Sequence, residues 1–154
     1  MRTGDVAGAV GKGLVAGVAG TALMTLASTI EMKLQGRDAS SAPADAAAKV
    51  LGIEPKGDAE KARFSNVVHW AYGTSWGVLR GLLGAAGLPA PVAAGAHFAA
   101  VWGSGLVMLP ALEVAPPLAE WGAKAIALDA FHHLVYVAGA SLAYGALDAR
   151  SCRP

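Results

Sequence analysis

Long runs without formal charge alternate with short polar stretches along this chain. Four runs, 13–30, 64–87, 90–112 and 125–147, hold only two charged residues, Arg80 and Asp129. Each is close to the roughly 20 helical residues needed to cross a hydrocarbon core. Backbone in lipid must satisfy its own polar groups, so each run has to be helical to cross. An amphipathic soluble helix carries charges every turn or so on its wet face, and these runs do not. The pattern predicts an all-α integral membrane protein: a four-helix bundle forming a single transmembrane domain over residues 1–154. A soluble helical bundle is the bland alternative. A cleaved leader is another, because Arg2 and Lys12 precede an apolar run ending at Ala27 and Ser28. That run is rich in Gly rather than Leu and leads into Glu31, Met32, Lys33 and Leu34, as a helix passing an interface does. Even with cleavage, three spans remain.

The one water-loving segment is the loop 38–63, which carries nine charges. Ser40, Ser41, Ala42 and Pro43 form a helix start, with a hydroxyl cap and Pro in the first turn. A short amphipathic helix over 44–51 is expected, stopped by Gly52 and Pro55 and lying on the membrane surface. A solvated linker is the plainer alternative. Residues 58–63 are expected to run straight into the second span. Pro89 and Pro91 turn the chain into the third, which Pro110 kinks or stops, and Pro116 and Pro117 close the next loop. Trp70 and Trp121 are expected at one interface and Tyr144 at the other. Basic residues divide almost evenly between the two sides, which leaves the orientation of the termini open.

Composition narrows the class further. The chain has 154 residues, enough for one domain, and only 15% of them are charged, against about 25% in soluble proteins. A formal net charge of +1 excludes a strongly basic nucleic-acid binder. Cys152 is the only cysteine, so no disulfide can form within the chain and no cysteine cage for a metal exists.

Small residues recur four apart. Gly13 and Gly17 do so on the first span, and Gly73, Gly77 and Gly81 on the second. This spacing lets helix backbones approach closely in lipid, and predicts a tight bundle or a homodimer through the same face.

The candidate chemistry lies at membrane depth. All four histidines fall in the spans: His69 in the second, His97 in the third, His132 and His133 in the fourth. Asp129, His132 and His133 are spaced so that the carboxylate can meet either imidazole on one helix face. An intramembrane carboxylate must be paired, protonated or wetted, and such residues mark functional sites by default. At 1.5 Å per residue, His69 and Asp129 lie roughly 8 and 6 Å in from the loop side, with His132 and His133 a little deeper. His97 is a turn or more beyond them. His69, Asp129 and His133 therefore form a candidate ligand set for a divalent metal such as Zn²⁺, Ni²⁺ or Fe²⁺. Two imidazoles on facing helices would also suit haem. The structural alternative is a buried Asp–His network, completed by Tyr72 or Tyr136, that fixes helix register. A proton or solute path is the third. Arg80 reads as a snorkelling interface residue, and Trp76 and Trp102 as packing. No Walker A pattern, nucleophile elbow, His-Glu-x-x-His or dinucleotide fingerprint occurs, so nothing points to a stand-alone enzyme.

Some local patterns are shared with known proteins. Phe64, Ser65, Asn66, Val67, Val68, His69 and Trp70 make a histidine-bearing span, and Ala93, Ala94, Gly95, Ala96 and His97 open the next. Leu109 and Pro110 end it, and His133, Leu134, Val135 and Tyr136 belong to the last. In these features, which cover a little over half the chain, the sequence resembles the YagU-like family of small bacterial inner-membrane proteins. The resemblance implies a multi-span protein with no assigned chemistry, with a link to acid tolerance suggested for one branch. It draws attention to His69, His97 and His133. The compact loop after the first span and the second histidine, His132, depart from the family pattern.

The expectation is thus a small polytopic protein of the bacterial inner membrane with a structural, accessory or stress-response role. Its partners are the lipid bilayer and a second copy or a larger membrane complex. The rivals are a metal- or haem-binding redox component using His69 and His133, and a proton-linked transporter or acid-response protein.

Overall fold

The structure is a computed structural model that describes residues 3–151. Among these, every regular element is helical: α1 (Thr3–Gln35), α2 (Ala42–Leu51), α3 (Gly57–Ala85), α4 (Ala90–Ala111), a single 3₁₀ turn (Leu118–Glu120) and α5 (Ala123–Ser151). Breaks fall where the backbone demands them. Gly36, Gly52 and Gly87 take left-handed φ values of 63°, 65° and 79° just beyond the ends of α1, α2 and α3, where a residue with a Cβ would be strained. Pro110 sits in the last turn of α4 without stopping it one residue early. The start of α2 differs slightly from expectation. Ser41 makes no side-chain cap; the Ser40 hydroxyl instead accepts from the Ala42 amide at 3.3 Å, and the helix begins at residue 42. The short segment 58–63 is the first turn and a half of α3, continuous with the rest.

The helix α1 packs against both α3 and α5, and α4 packs against the same two from its own side. Pairs such as Gly13 with Gly77 and Thr25 with His69 show that α1 and α3 run antiparallel. Lys12 with Asp148 and Gly20 with Tyr136 show the same for α1 and α5.

Glycine makes the α1–α3 seam. A Cβ built on Gly13 would lie 2.5 Å from the Gly77 carbonyl oxygen, and one on Gly77 would collide with the Gly13 carbonyl and lie 2.5 Å from the Gly17 nitrogen. Gly81 meets the Ala9 backbone, Gly17 that of Thr74, and Gly73 the Thr21 side chain in the same way. Backbone therefore packs directly on backbone, which maximises dispersion contact where the hydrophobic effect offers no drive between helices. The α1–α5 contact repeats the device at Gly20, whose Cβ would strike Tyr136, and at Gly139, against Leu23.

The surface is apolar and the interior partly polar. Leu142 and Val107 are 74% and 71% exposed, whereas His97 and Arg80 are 0% and 3% exposed. Large apolar side chains point outward on all four long helices, including Val67 of α3 and Leu26 of α1. By length and hydropathy α1, α4 and α5 can each cross a membrane. The helix α3 is not among them, because Asn66, His69, Thr74, Ser75 and Arg80 lower the mean hydropathy of 64–87.

Candidate functional site

The polar side chains at the helix contacts, some buried and others half-buried, fall into four separate groups. The first lies in the α1–α3 seam. Thr21 and Thr25 donate their hydroxyl protons back along α1, to Gly17 O and Thr21 O, each at 2.7 Å. The His69 Nε2 atom lies 2.8 Å from Thr25 Oγ1. Since the Thr25 proton is already committed, His69 Nε2–H is the donor, which fixes the proton on that nitrogen.

The second contact joins α4 to α5. Trp102 Nε1–H donates to Asp129 Oδ2 at 2.8 Å. His133 turns back on its own helix, its Nδ1 donating to the Asp129 carbonyl at 2.8 Å and lying 3.8 Å from Oδ1. Asp129 is thus held by an indole on the facing helix and, more loosely, by one of its two neighbouring imidazoles.

The third joins α1 to α5 at the loop end. Arg37 grips Glu31 with two bonds, Nε to Oε1 at 3.0 Å and Nη2 to Oε2 at 2.6 Å. This fork geometry is among the stronger ion-pair arrangements, and the carboxylate holds the Arg37 guanidinium above its ordinary pKa. His132 Nε2 lies 3.9 Å from Glu31 Oε2 and is buried without a hydrogen-bond partner.

The fourth lies between α3, α4 and α5. His97 Nε2–H donates to the Trp76 carbonyl at 3.0 Å, and its ring meets the Tyr136 ring edge-on at 5.6 Å. Tyr136 in turn donates to the Gly73 carbonyl at 2.6 Å. One turn or more along the same α3–α5 contact, Arg80 Nε donates to Ser141 Oγ at 3.2 Å. Its guanidinium lies 4.5 Å above the Tyr144 ring. Arg80 Nη1 is buried with no hydrogen-bond partner. Further along α5, Asp148 pairs with Lys12 of α1 at 2.8 Å.

These positions answer the expectation of one polar layer. His69 is directed to α1, Asp129 to α4, and His132 to α1 on the α5 side, so a shared depth along parallel helices does not make them converge. Among the described residues no three His, Cys, Asp or Glu side chains are placed to hold one metal ion. The trio His69, Asp129 and His133 therefore does not form a ligand set in this arrangement. Ligation of haem through Nε2 would require His69 to release Thr25, whereas His133 could offer its Nε2 while its Nδ1 stays on the Asp129 carbonyl. Arg80 does not snorkel: it is enclosed between α3 and α5. Tyr144, expected at an interface, is the ring beneath it and is itself buried. Thr25, Glu31, Arg37, Ser141 and the indole of Trp102 also bond at these contacts without standing among the sequence candidates. Only Glu31 and Arg37 carried a usable signal, as opposite charges flanking the end of a span.

Comparison with known proteins adds no relative: no family model matches the chain, and neither a curated protein nor a solved structure is significantly similar to it.

Proposed function

We propose that this chain is a four-span protein of the bacterial inner membrane whose buried polar groups tie helices together, in a structural or accessory role. In this reading α3 is the fourth span. It crosses despite its lower hydropathy because its polar groups face α1, α4 and α5. One observation carries the proposal: large apolar side chains of the four long helices face outward, and the polar groups at the helix contacts bond in separate pairs rather than gathering around one point. That is the arrangement expected when lipid is the solvent. The resemblance of the sequence, from the second span onward, to YagU-like proteins points to the same location.

A topology map tests it. Reporter fusions at the two ends and within 52–56 should place both termini on one side of the membrane and the loop on the other. Termini on opposite sides would mean three spans and would remove α3 from the bilayer.

A second reading, a response to acid, has its own observation. His132 Nε2 is buried beside Glu31 without a hydrogen bond, so a proton taken up there would find a carboxylate that Arg37 already holds. Its test is a phenotype of cells lacking the protein at low pH that His132→Gln fails to rescue; rescue by His132→Gln would discard it.

A further inference from the structure

The sequence pattern expects the short helix α2 to lie on the membrane surface, and the structure shows at what height it is held and which side chains it leaves bare. Along α2, Pro43, Ala47, Val50 and Leu51 stand at i, i+4, i+7 and i+8, one helix face, while Asp45 and Lys49 stand on the other. Ala44 and Ala46 are buried where α2 packs on α3 and α4. The C-terminal part of the apolar face is bare: Val50 is 67% exposed, Leu51 62% and, just beyond the helix, Ile53 42%. Three large apolar side chains so close together are unusual on a segment this polar, and the described residues leave all three exposed.

Their height relative to the bundle is fixed. Lys49 Nζ donates to the Leu112 carbonyl at 2.6 Å and meets Glu113 Oε2 at 3.1 Å. Leu112 is the residue that follows the last turn of α4, and α4 is one of the helices able to cross a membrane. The lysine thus caps the carbonyl end of a span and pins the end of α2 at the level where that span leaves the hydrocarbon. Leu34, 82% exposed near the end of α1, shows that bare apolar side chains at this end are not confined to α2. Lys33 and Lys124 are exposed near the matching ends of α1 and α5.

From this we infer that α2 is an interfacial helix whose Val50, Leu51 and Ile53 insert into the boundary between lipid headgroups and acyl chains, with Asp45 and Lys49 on its wetter side. The occupant of the apolar face is the bilayer on which the protein already sits. The geometry is that of helices which lie in the interface plane with one face sunk among the acyl chains. Such a helix fixes the vertical position of α3, whose first turn begins only five residues after Gly52.

The inference rests on the membrane reading, and the experiment separates the two. In the full chain with Cys152→Ser, single cysteines replacing Asp45, Val50, Leu51, Val107 or Leu142 are labelled with an environment-sensitive fluorophore. The protein is reconstituted into vesicles of phosphatidylcholine and phosphatidylglycerol. Quenching by lipids spin-labelled near the headgroup end of the acyl chain is then compared with quenching by aqueous iodide. The expected result is that positions 50 and 51 are quenched by the lipid label about twofold or more over position 45, and that iodide reaches 45 preferentially. Iodide access at 50 and 51 equal to that at 45, with 107 and 142 still shielded, would overturn the inference while the membrane reading stood. Iodide access at 107 and 142 as well would overturn both. Shielding of 50 and 51 from both quenchers that disappears on dilution into excess lipid would assign the face to a second copy, and would also overturn it.

Discussion

Asp129, the one acidic residue within the four uncharged runs, is bonded by the indole of Trp102 on the neighbouring helix, Nε1 to Oδ2 at 2.8 Å, rather than by a histidine ring nitrogen. His133 approaches the same carboxylate only to 3.8 Å and spends its Nδ1–H on the Asp129 backbone. A hydrogen bond from a neutral donor occupies one carboxylate oxygen without bringing in a second titratable group. The contact is worth about 1–2 kcal/mol by analogy with interhelical bonds in lipid and with bonds to charged groups. A double-mutant cycle with Trp102→Phe and Asp129→Ala, read by thermal unfolding in detergent, should return a coupling of that size. Additive single effects would mean that the bond contributes nothing.

The glycine seam makes a sharper prediction. Gly77→Leu places a side chain where the Gly13 and Gly17 backbones already touch, and no flexible side chain there can move aside. Overpacking of this kind costs about 1–3 kcal/mol or more, and the variant should lose its monodisperse folded peak in fluorescence-detected size exclusion. Gly95→Leu on α4 adds its side chain to open space and should behave as the parent.

Arg80 combines three demands: a bond to Ser141, a stack on Tyr144, and burial of a permanent charge. A lysine cannot stack as a plane and bond sideways at once, so Arg80→Lys should lower the unfolding temperature by the equivalent of about 1–2 kcal/mol. Tyr144→Leu in the Arg80→Lys background should then cost less than in the parent, since the stack is already gone. An equal cost in both backgrounds would contradict the stacking role.

Arg37 lies two residues past the end of α1 and is held there by Glu31. Trypsin should therefore cut after Arg37 slowly in the parent protein. Glu31→Gln, which removes the charge-assisted fork, should speed that cut several-fold, measured by mass spectrometry of early fragments. Cleavage after Lys56, whose side chain forms no part of this ion pair, provides the internal control.

Much of the architecture was legible because membrane spans are marked by what they lack. Missing charges set off 13–30, 90–112 and 125–147, and Gly52 and the prolines marked turns between helices. What the sequence withheld was the rotation of each helix about its own axis. Depth along a helix follows from counting residues, but whether His69 meets Asp129 or Thr25 depends on which face of α3 the glycines turn toward α1. Gly73, Gly77 and Gly81 press that face into α1 and so carry His69 with them, away from α5. The same rotation turns Arg80 onto Ser141 and Tyr144 instead of toward an interface. The Trp102–Asp129 bond was hidden for a similar reason. An indole in an apolar run reads as packing until a carboxylate is known to face it.

On the structural reading proposed above, the histidines hold helices together and ligate no cofactor. Metal content by mass spectrometry, with a visible spectrum on the same protein purified in mild detergent, tests it most directly. The expected result is a colourless protein with far less than one metal ion per chain, unchanged in both respects by His69→Ala and His133→Ala. A Soret band, or near-stoichiometric metal that His133→Ala removes, would contradict it.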